Sequence, residues 1–150
     1  HLSKVLAAEV ARAERFDHPL SLIFFDLDHF KQVNDRHGHQ VGSLVLAGIG
    51  DILRKTLRSV DVPVRYGGDE FVCLLPETGK SQALFWARQL QAAIREHPFA
   101  SPTGAEIRVD ASFGVASLPD DAKDADELLR QADLAMYRVK RGGRGAIQAA

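Results

Sequence analysis

Several features that often reveal the class of a protein are scarce in this chain. It has one cysteine, Cys73, and no apolar run approaches the ~20 residues that a membrane-spanning helix needs. The formal net charge is −1, which gives no general attraction to nucleic acid or to an anionic membrane. No nucleic-acid motif, internal repeat or low-complexity tract occurs. These absences argue against nucleic acid and membrane as partners, and the lone cysteine fits a reducing, cytoplasmic setting.

The chain has enough apolar residues for one folded domain with its own core. Its 150 residues are 45% hydrophobic. Apolar residues at helical spacing predict four helices, which run through residues 2–13, 46–57, 83–94 and 128–139. Asp124 and Glu127 resemble a capping box that opens the last of these helices.

Strand patterns alternate with the helical ones. A continuous apolar run spans 20–25, and alternating apolar residues span 62–64, 71–75 and 107–115. This order predicts an α+β domain in which helices wrap a central, mainly antiparallel sheet. Cys73 lies in one of these strands, where a small buried apolar residue is expected rather than a nucleophile or a metal ligand.

Two adjacent carboxylates stand beside a pair of glycines at residues 65–71, which read Arg-Tyr-Gly-Gly-Asp-Glu-Phe. The flanking alternation predicts a hairpin, whose turn glycines permit positive φ. Asp69 and Glu70 then project from the hairpin tip. The alternative for this segment alone is an ordinary surface hairpin with acidic tip residues.

A second acidic pair, Asp26 and Asp28, follows the apolar run at 20–25. A carboxylate that leaves a buried strand is poorly hydrated and well placed to hold a hard cation. If the hairpin pairs beside this strand, Asp26 and Asp69 converge. Such carboxylates, with Lys31 nearby, suit magnesium ions that bridge the phosphates of a nucleotide. The alternative for Asp28 is a cap of the following helix.

Taken together, these residues resemble the GGDEF domain, the family of diguanylate cyclases that condense two GTP molecules into cyclic di-GMP. Five motifs occur in order, at 26–31, 34–39, 65–71, 112–116 and 132–144. The resemblance implies the nucleotidyl-cyclase version of the ferredoxin-like fold, with residues 1–150 as the catalytic domain. The family's opening Asp-x-Leu-Thr-Gly-Leu-x-Asn-Arg-Arg segment is absent. We therefore expect a trimmed fragment without its N-terminal sensory or receiver domain.

The resemblance also implies a metal site and a reaction. Asp26 and Asp69, with the backbone carbonyl of Leu27, would ligate two Mg²⁺ ions per active site, or Mn²⁺. Glu70 would support this site, and Asp69 would accept the proton when a ribose 3′-hydroxyl attacks an α-phosphorus. One domain holds one nucleotide, so two domains must face each other as a homodimer to close the ring.

The residues that the resemblance assigns to the nucleotide are His29, Phe30, Lys31, Asn34, His39, Ser43, Leu46, Lys140 and Arg144. The backbone amides of His29 and Phe30 would bind phosphates at the start of a helix. Lys31 would have a catalytic role, because it would neutralise the charge of the terminal phosphate. Lys140 and Arg144 would reach in from the end of the last helix. Their alternative role is to complement the dipole of that helix.

One position departs from the family's pattern. Where the family usually carries Gly-Asp, this chain has Gly42-Ser43. An aspartate accepts the two donors of guanine but sets charge against the N1 lone pair of adenine, whereas a hydroxyl donates or accepts and tolerates both bases. A serine at this position resembles the hybrid-promiscuous branch of the family, which makes cyclic GMP-AMP. This resemblance predicts that ATP is a substrate beside GTP. The alternative is a neutral substitution in a strict diguanylate cyclase.

Arg58 and Asp61 precede the signature at the spacing of the family's inhibitory Arg-x-x-Asp site. The resemblance implies that a cyclic dinucleotide product binds there as a feedback ligand. The alternative is a structural ion pair. A non-catalytic receptor for a cyclic dinucleotide or GTP is the alternative to an enzyme. The enzyme is favoured by the intact metal and phosphate set, which comprises Asp26, Lys31, Asp69 and Glu70.

Overall fold

The computed structural model describes all of residues 1–150. In chain order, the helices and strands are α1 (Leu2–Phe16), β1 (Leu20–Leu27), α2 (Phe30–His37), α3 (His39–Thr56), β2 (Val62–Arg65), β3 (Glu70–Pro76), α4 (Lys80–Glu96), β4 (Phe99–Ala100), β5 (Glu106–Ile107), β6 (Ala111–Leu118), α5 (Ala125–Arg141) and β7 (Ile147–Ala149). The main sheet has the order β2-β3-β1-β6-β7, and only the β6–β7 pair is parallel. The predicted α+β fold is confirmed. None of the helices is long and apolar enough to span a bilayer.

Strand β1 lies at the centre of the sheet, and both of its faces are buried. Ile23 and Phe25 pack in a cluster with α3 and α4, while Leu22 and Phe24 pack in a second cluster with α1 and α5. This two-sided burial explains why the strand reads as a continuous apolar run rather than an alternating one. It also fixes the register that brings Asp26 to the end of the sheet.

The predicted helices are confirmed, with α1, α3, α4 and α5 covering the four helical patterns, although Leu57 follows the end of α3. The side chain of Asp124 accepts a hydrogen bond from the backbone N–H of Glu127 (2.8 Å), as the capping signature predicts. Cys73 is fully buried in β3, and burial raises the pKa of its thiol far above its usual range.

The single strand predicted over 107–115 is wrong. Residues 106–107 pair with β4 in a separate two-stranded ribbon, and the main-sheet strand starts only at Ala111. Between them, Asp110 turns its side chain to Arg95 (2.9 Å) and to the N–H of Ala111 (2.8 Å). Its carbonyl accepts from the N–H of Asp28 (2.8 Å), so this segment bonds to the acidic loop after β1 instead of continuing a ladder.

Candidate active site

The pairing of β1 with β3 brings the two acidic segments together, as the sequence predicts. The Cα of Asp26 is paired with that of Glu70, and the backbone N–H of Leu27 donates to the carbonyl of Asp69 (3.2 Å). Asp26, in β1, therefore lies beside Asp69, which directly precedes β3.

Burial shapes the electrostatics of this acidic pair. It raises the pKa of Asp26 to about 7, and the hydrogen bond with Asp69 adds to the rise, while the nearby Lys140 opposes it. Burial is also the main cause of the raised pKa of Glu70, with further contributions from Asp133 and Asp69. Because burial disfavours the ionised form of these carboxylates, a bound cation would stabilise the site by offsetting their negative charge.

The oxygens around Asp26 fit a divalent cation that has phosphate as a further ligand. Oδ1 of Asp26 is buried and has no hydrogen-bond partner, an arrangement that is costly for a carboxylate oxygen. The carbonyl oxygen of Leu27 and Oδ2 of Asp26 both lie near Nζ of Lys140, at 3.3 and 3.4 Å. No cluster of three or more His, Cys, Asp or Glu side chains could hold a metal alone. Such a donor set matches Mg²⁺, which takes one or two carboxylates and completes its shell with phosphate and water.

The hairpin tip that carries Asp69 is held by local bonds. The N–H groups of Tyr66 (2.8 Å) and Gly67 (3.3 Å) donate to the carbonyl of Glu70, and Nη2 of Arg65 donates to the carbonyl of Gly68 (2.7 Å). The turn glycines permit positive φ, but neither adopts it. A Cβ on Gly67 would lie 2.6 Å from Oε1 of Glu70, so any other residue there would displace this carboxylate.

A cleft of about 380 Å³ opens beside Asp69. Of the residues predicted to bind nucleotide, six line it: Phe30, Lys31, Asn34, His39, Ser43 and Leu46. The structure thus places the residues that are predicted to read the base in one cleft with Asp69. Leu46 supplies its partly buried apolar wall, and the exposed Lys31 lies at the start of α2.

Two residues of the cleft, Gly42 and Arg65, are ones to which the sequence analysis assigns no role. A Cβ on Gly42 would lie 1.9 Å from Oδ1 of Asn34, so the glycine is what allows Asn34 to take its position. Gly42 and Asn34 are close in sequence but lie on different helices, α3 and α2, so their contact is a tertiary feature that a local pattern does not reveal.

Helix α2 begins at Phe30, directly after the acidic loop. His29 is its N-cap residue in a left-handed conformation (φ 58°), and no side chain caps the helix. The first backbone amides of α2 therefore lack a side-chain partner, which suits an anion such as phosphate. The alternative prediction for Asp28, that it caps this helix, is wrong.

Two basic residues, Lys140 in the last turn of α5 and Arg144 just after this helix, lie close to the acidic residues at the end of β1. Nζ of Lys140 is 3.4 Å from Oδ2 of Asp26 and 3.4 Å from Oδ1 of Asp28, and Nη1 of Arg144 is 3.8 Å from that same Oδ1. Lys140 and Arg144 thus contact the acidic loop and are not among the residues that line the cleft beside Asp69.

Arg58 and Asp61 form a separate cluster away from the acidic pair. Two guanidinium nitrogens of Arg58 donate to the fully buried carboxylate of Asp61 (2.8 and 3.1 Å), and Nη2 also donates to Oγ1 of Thr78 (2.7 Å). The guanidinium lies 5.9 Å from the ring centre of Trp86, and the exposed Phe85 lies alongside. The ion pair exists, and about a third of the Arg58 side chain remains accessible to a ligand.

The chain belongs to the GGDEF family, because the family model "Diguanylate cyclase, GGDEF domain" matches residues 1–146. The diguanylate cyclase DgcP of Pseudomonas aeruginosa is 40% identical over 150 residues, which cover 99% of this chain and 22% of DgcP. The chain spans well under half the length of the curated relatives it matches.

Solved GGDEF domains superpose closely on this structure. The isolated GGDEF domain of YfiN from P. aeruginosa gives a TM-score of 0.95 at 34% identity, and the match covers 99% of this chain and 87% of the YfiN chain. The GGDEF domain of DgcB from Caulobacter crescentus, solved in complex with c-di-GMP, gives 0.92 at 25% identity, over 99% of this chain and 87% of the DgcB chain. These matches support the nucleotidyl-cyclase assignment of the fold.

Proposed function

We propose that this chain is the catalytic domain of a cyclic-dinucleotide synthase, which condenses two purine nucleoside triphosphates and releases pyrophosphate. The observation that carries the proposal is the convergence of Asp26 and Asp69 beside a nucleotide-sized cleft, where Oδ1 of Asp26 is buried and has no hydrogen-bond partner. Relatives named as diguanylate cyclases support the synthesis of cyclic di-GMP. The chain would act within a longer protein that carries a sensory or receiver domain.

The metal site would consist of Asp26, Asp69 and the carbonyl of Leu27, with two Mg²⁺ or Mn²⁺ ions per active site. When bound, these ions lower the pKa of the attacking hydroxyl and spread charge on the transferring phosphoryl group. Glu70 is half-buried beside Asp26 and Asp69, and its carboxylate would support the same metal site.

The protein's own residues would orient the substrate and move one proton. Asp69 would take the proton of the ribose 3′-hydroxyl as that oxygen attacks the α-phosphorus. Lys31 and the amides of His29 and Phe30 would bind phosphate oxygens at the start of α2. Lys140 and Arg144 would neutralise the leaving pyrophosphate from the opposite side. Each domain would bind one nucleotide in its cleft, and the reaction joins two nucleotides. Two domains must therefore face each other as a homodimer.

The residues that would contact the base support a finer proposal, that the domain uses ATP as well as GTP. Ser43 is exposed in the cleft that Asn34 also lines. A hydroxyl and an amide can each donate or accept, so neither rejects the N1 of adenine as an ionised carboxylate does. The domain would then make cyclic GMP-AMP as well as cyclic di-GMP. If other contacts select guanine, the same site is that of a strict diguanylate cyclase.

We also propose that the product binds at Arg58 and Asp61. The partly exposed guanidinium, fixed by a buried carboxylate and flanked by Trp86 and Phe85, offers charge for a phosphate and a flat surface for a base. The bound c-di-GMP of the DgcB domain supports a product-binding role in this family. A non-catalytic receptor is the second candidate for the whole domain.

The enzyme proposal is tested by incubating the purified chain with GTP and Mg²⁺ and measuring pyrophosphate release. We expect release that requires metal and that depends on protein concentration, since two domains must meet. Binding of GTP or cyclic di-GMP without any release, at concentrations that favour a dimer, would establish the receptor instead.

A further inference from the structure

Asp28 is a buried acidic residue that the proposed reaction does not use. Its side chain is buried, with 7% of the residue exposed, and both oxygens of its carboxylate accept hydrogen bonds. Oδ1 accepts a hydrogen bond from Oγ of Ser112 (2.7 Å) and lies near Nζ of Lys140 (3.4 Å) and Nη1 of Arg144 (3.8 Å). Oδ2 accepts from the backbone N–H of Gly145 (3.0 Å). None of these contacts is with the first amides of α2, so Asp28 does not cap that helix.

The Gly145 contact fixes the loop that carries Arg144. This loop leaves α5 through three consecutive residues at positive φ, which are Gly143 (123°), Arg144 (70°) and Gly145 (63°). An arginine in this region is strained and keeps such a conformation only when its surroundings hold it. The peptide of Gly145 is held from both sides, because Gln91 (3.0 Å) and Arg95 (2.6 Å) donate to its carbonyl.

We propose that Asp28 is a positioning residue, which sets Lys140 and Arg144 for the triphosphate. One carboxylate oxygen anchors the loop backbone, and the other pairs with both cationic side chains. Asp28 thus acts through the two cations and not on the reacting atoms. This inference rests on the proposed function, since it assumes that Lys140 and Arg144 bind phosphate.

A simple charge effect makes the opposite prediction. The triphosphate is an anion, so removal of a nearby negative charge would by itself strengthen its binding. If Asp28 positions the cations, its neutralisation instead releases the loop and weakens binding. The sign of the change therefore separates the two accounts.

The test compares Asp28→Asn with the wild-type chain, using the non-cleavable analogue guanosine 5′-(α,β-methylene)triphosphate with Mg²⁺ in calorimetry. We expect the analogue to bind about 10- to 100-fold more weakly, the range that charge-assisted hydrogen bonds support. In a Lys140→Met/Arg144→Ala background, Asp28→Asn should change binding less than about twofold, because the groups through which it acts are gone. Thermal unfolding and cyclic di-GMP binding at Arg58 report whether each variant is folded.

Should Asp28→Asn fail to fold, Ser112→Ala provides the second variant, because it keeps the carboxylate and removes the bond that orients it. It should weaken analogue binding in the wild-type background and not in the background that lacks both cations. Unchanged or tighter analogue binding by folded Asp28→Asn, or an equal loss in both backgrounds, overturns the positioning role while leaving the proposed function intact. A wild-type chain that binds no analogue overturns both.

Discussion

The ammonium of Lys140 lies against the oxygens that we propose for the metal: it is 3.4 Å from Oδ2 of Asp26 and 3.3 Å from the carbonyl oxygen of Leu27. A lysine and a divalent cation cannot share this position. We therefore expect Lys140 to compete with metal in the protein without nucleotide. A bound triphosphate would offer the ammonium another anion and would free these oxygens.

Substitution Lys140→Met is expected to tighten Mn²⁺ binding in the absence of nucleotide by about 10-fold, because it removes a competing positive charge from a partly buried site. Titration of Mn²⁺ followed by electron paramagnetic resonance measures this, at pH 8 so that Asp26, with a pKa of about 7, is ionised. Arg141→Met, one residue along on the exposed side of α5, is the matched control and should have no effect. Weaker Mn²⁺ binding by Lys140→Met would contradict the competition.

Asp69→Asn should reduce turnover at least ~100-fold and leave the fold intact, because a metal ligand and the proton acceptor are lost together. Pyrophosphate release under saturating GTP and Mg²⁺ measures the loss, and circular dichroism checks the fold. Asp51→Asn, which neutralises an exposed carboxylate on α3, is the control for charge alone. Near-normal turnover of Asp69→Asn would remove this residue from the reacting centre.

Gly42→Ala should weaken nucleotide binding by roughly 10-fold, because its Cβ would lie 1.9 Å from Oδ1 of Asn34 and displace that side chain from the cleft. Gly50→Ala in the same helix is the matched control. Its Cβ would meet only Arg54, at 3.7 Å, so it should bind nucleotide normally and gain stability from helix propensity. Equal affinity of the two variants for the methylene analogue of GTP would show that Asn34 does not contact the base.

Cyclic di-GMP should bind the wild-type chain, and Arg58→Lys should weaken that binding at least ~10-fold, since lysine lacks the planar fork of arginine. Lysine still places a positive charge beside the buried Asp61, so the variant should stay folded. Arg58→Ala is a poorer test, because it leaves the fully buried carboxylate of Asp61 with the backbone N–H of residue 58 (2.8 Å) but without its guanidinium partner, and is expected to destabilise the chain by about 1–3 kcal/mol. Calorimetry with cyclic di-GMP decides, and equal affinity in Arg58→Lys leaves only the structural ion pair.

The sequence predicts the parts of the site that depend on local pattern. Residues 20–25 and 71–75 read as strands, and their pairing brings Asp26 to Asp69. The features of the site that the sequence does not predict are those that depend on contacts between distant residues. The chain breaks its strand at Asp110 because distant Arg95 and Asp28 bond there, and Gly42 matters because another helix places Asn34 against it. The partners of Asp28 lie 84 to 117 residues away, so no local pattern could reveal them.

The most direct test of the account is the product made from equal GTP and ATP. The purified chain is incubated with both nucleotides and Mg²⁺, and the products are separated by chromatography. We predict cyclic di-GMP together with a substantial fraction of cyclic GMP-AMP, and Ser43→Asp should shift the mixture toward cyclic di-GMP, since a wrongly paired polar edge costs about 1–3 kcal/mol. Cyclic di-GMP alone would make Ser43 a neutral substitution in a strict diguanylate cyclase. No cyclic dinucleotide from any nucleotide mixture, at concentrations that favour a dimer, would contradict the central claim that this domain is a synthase.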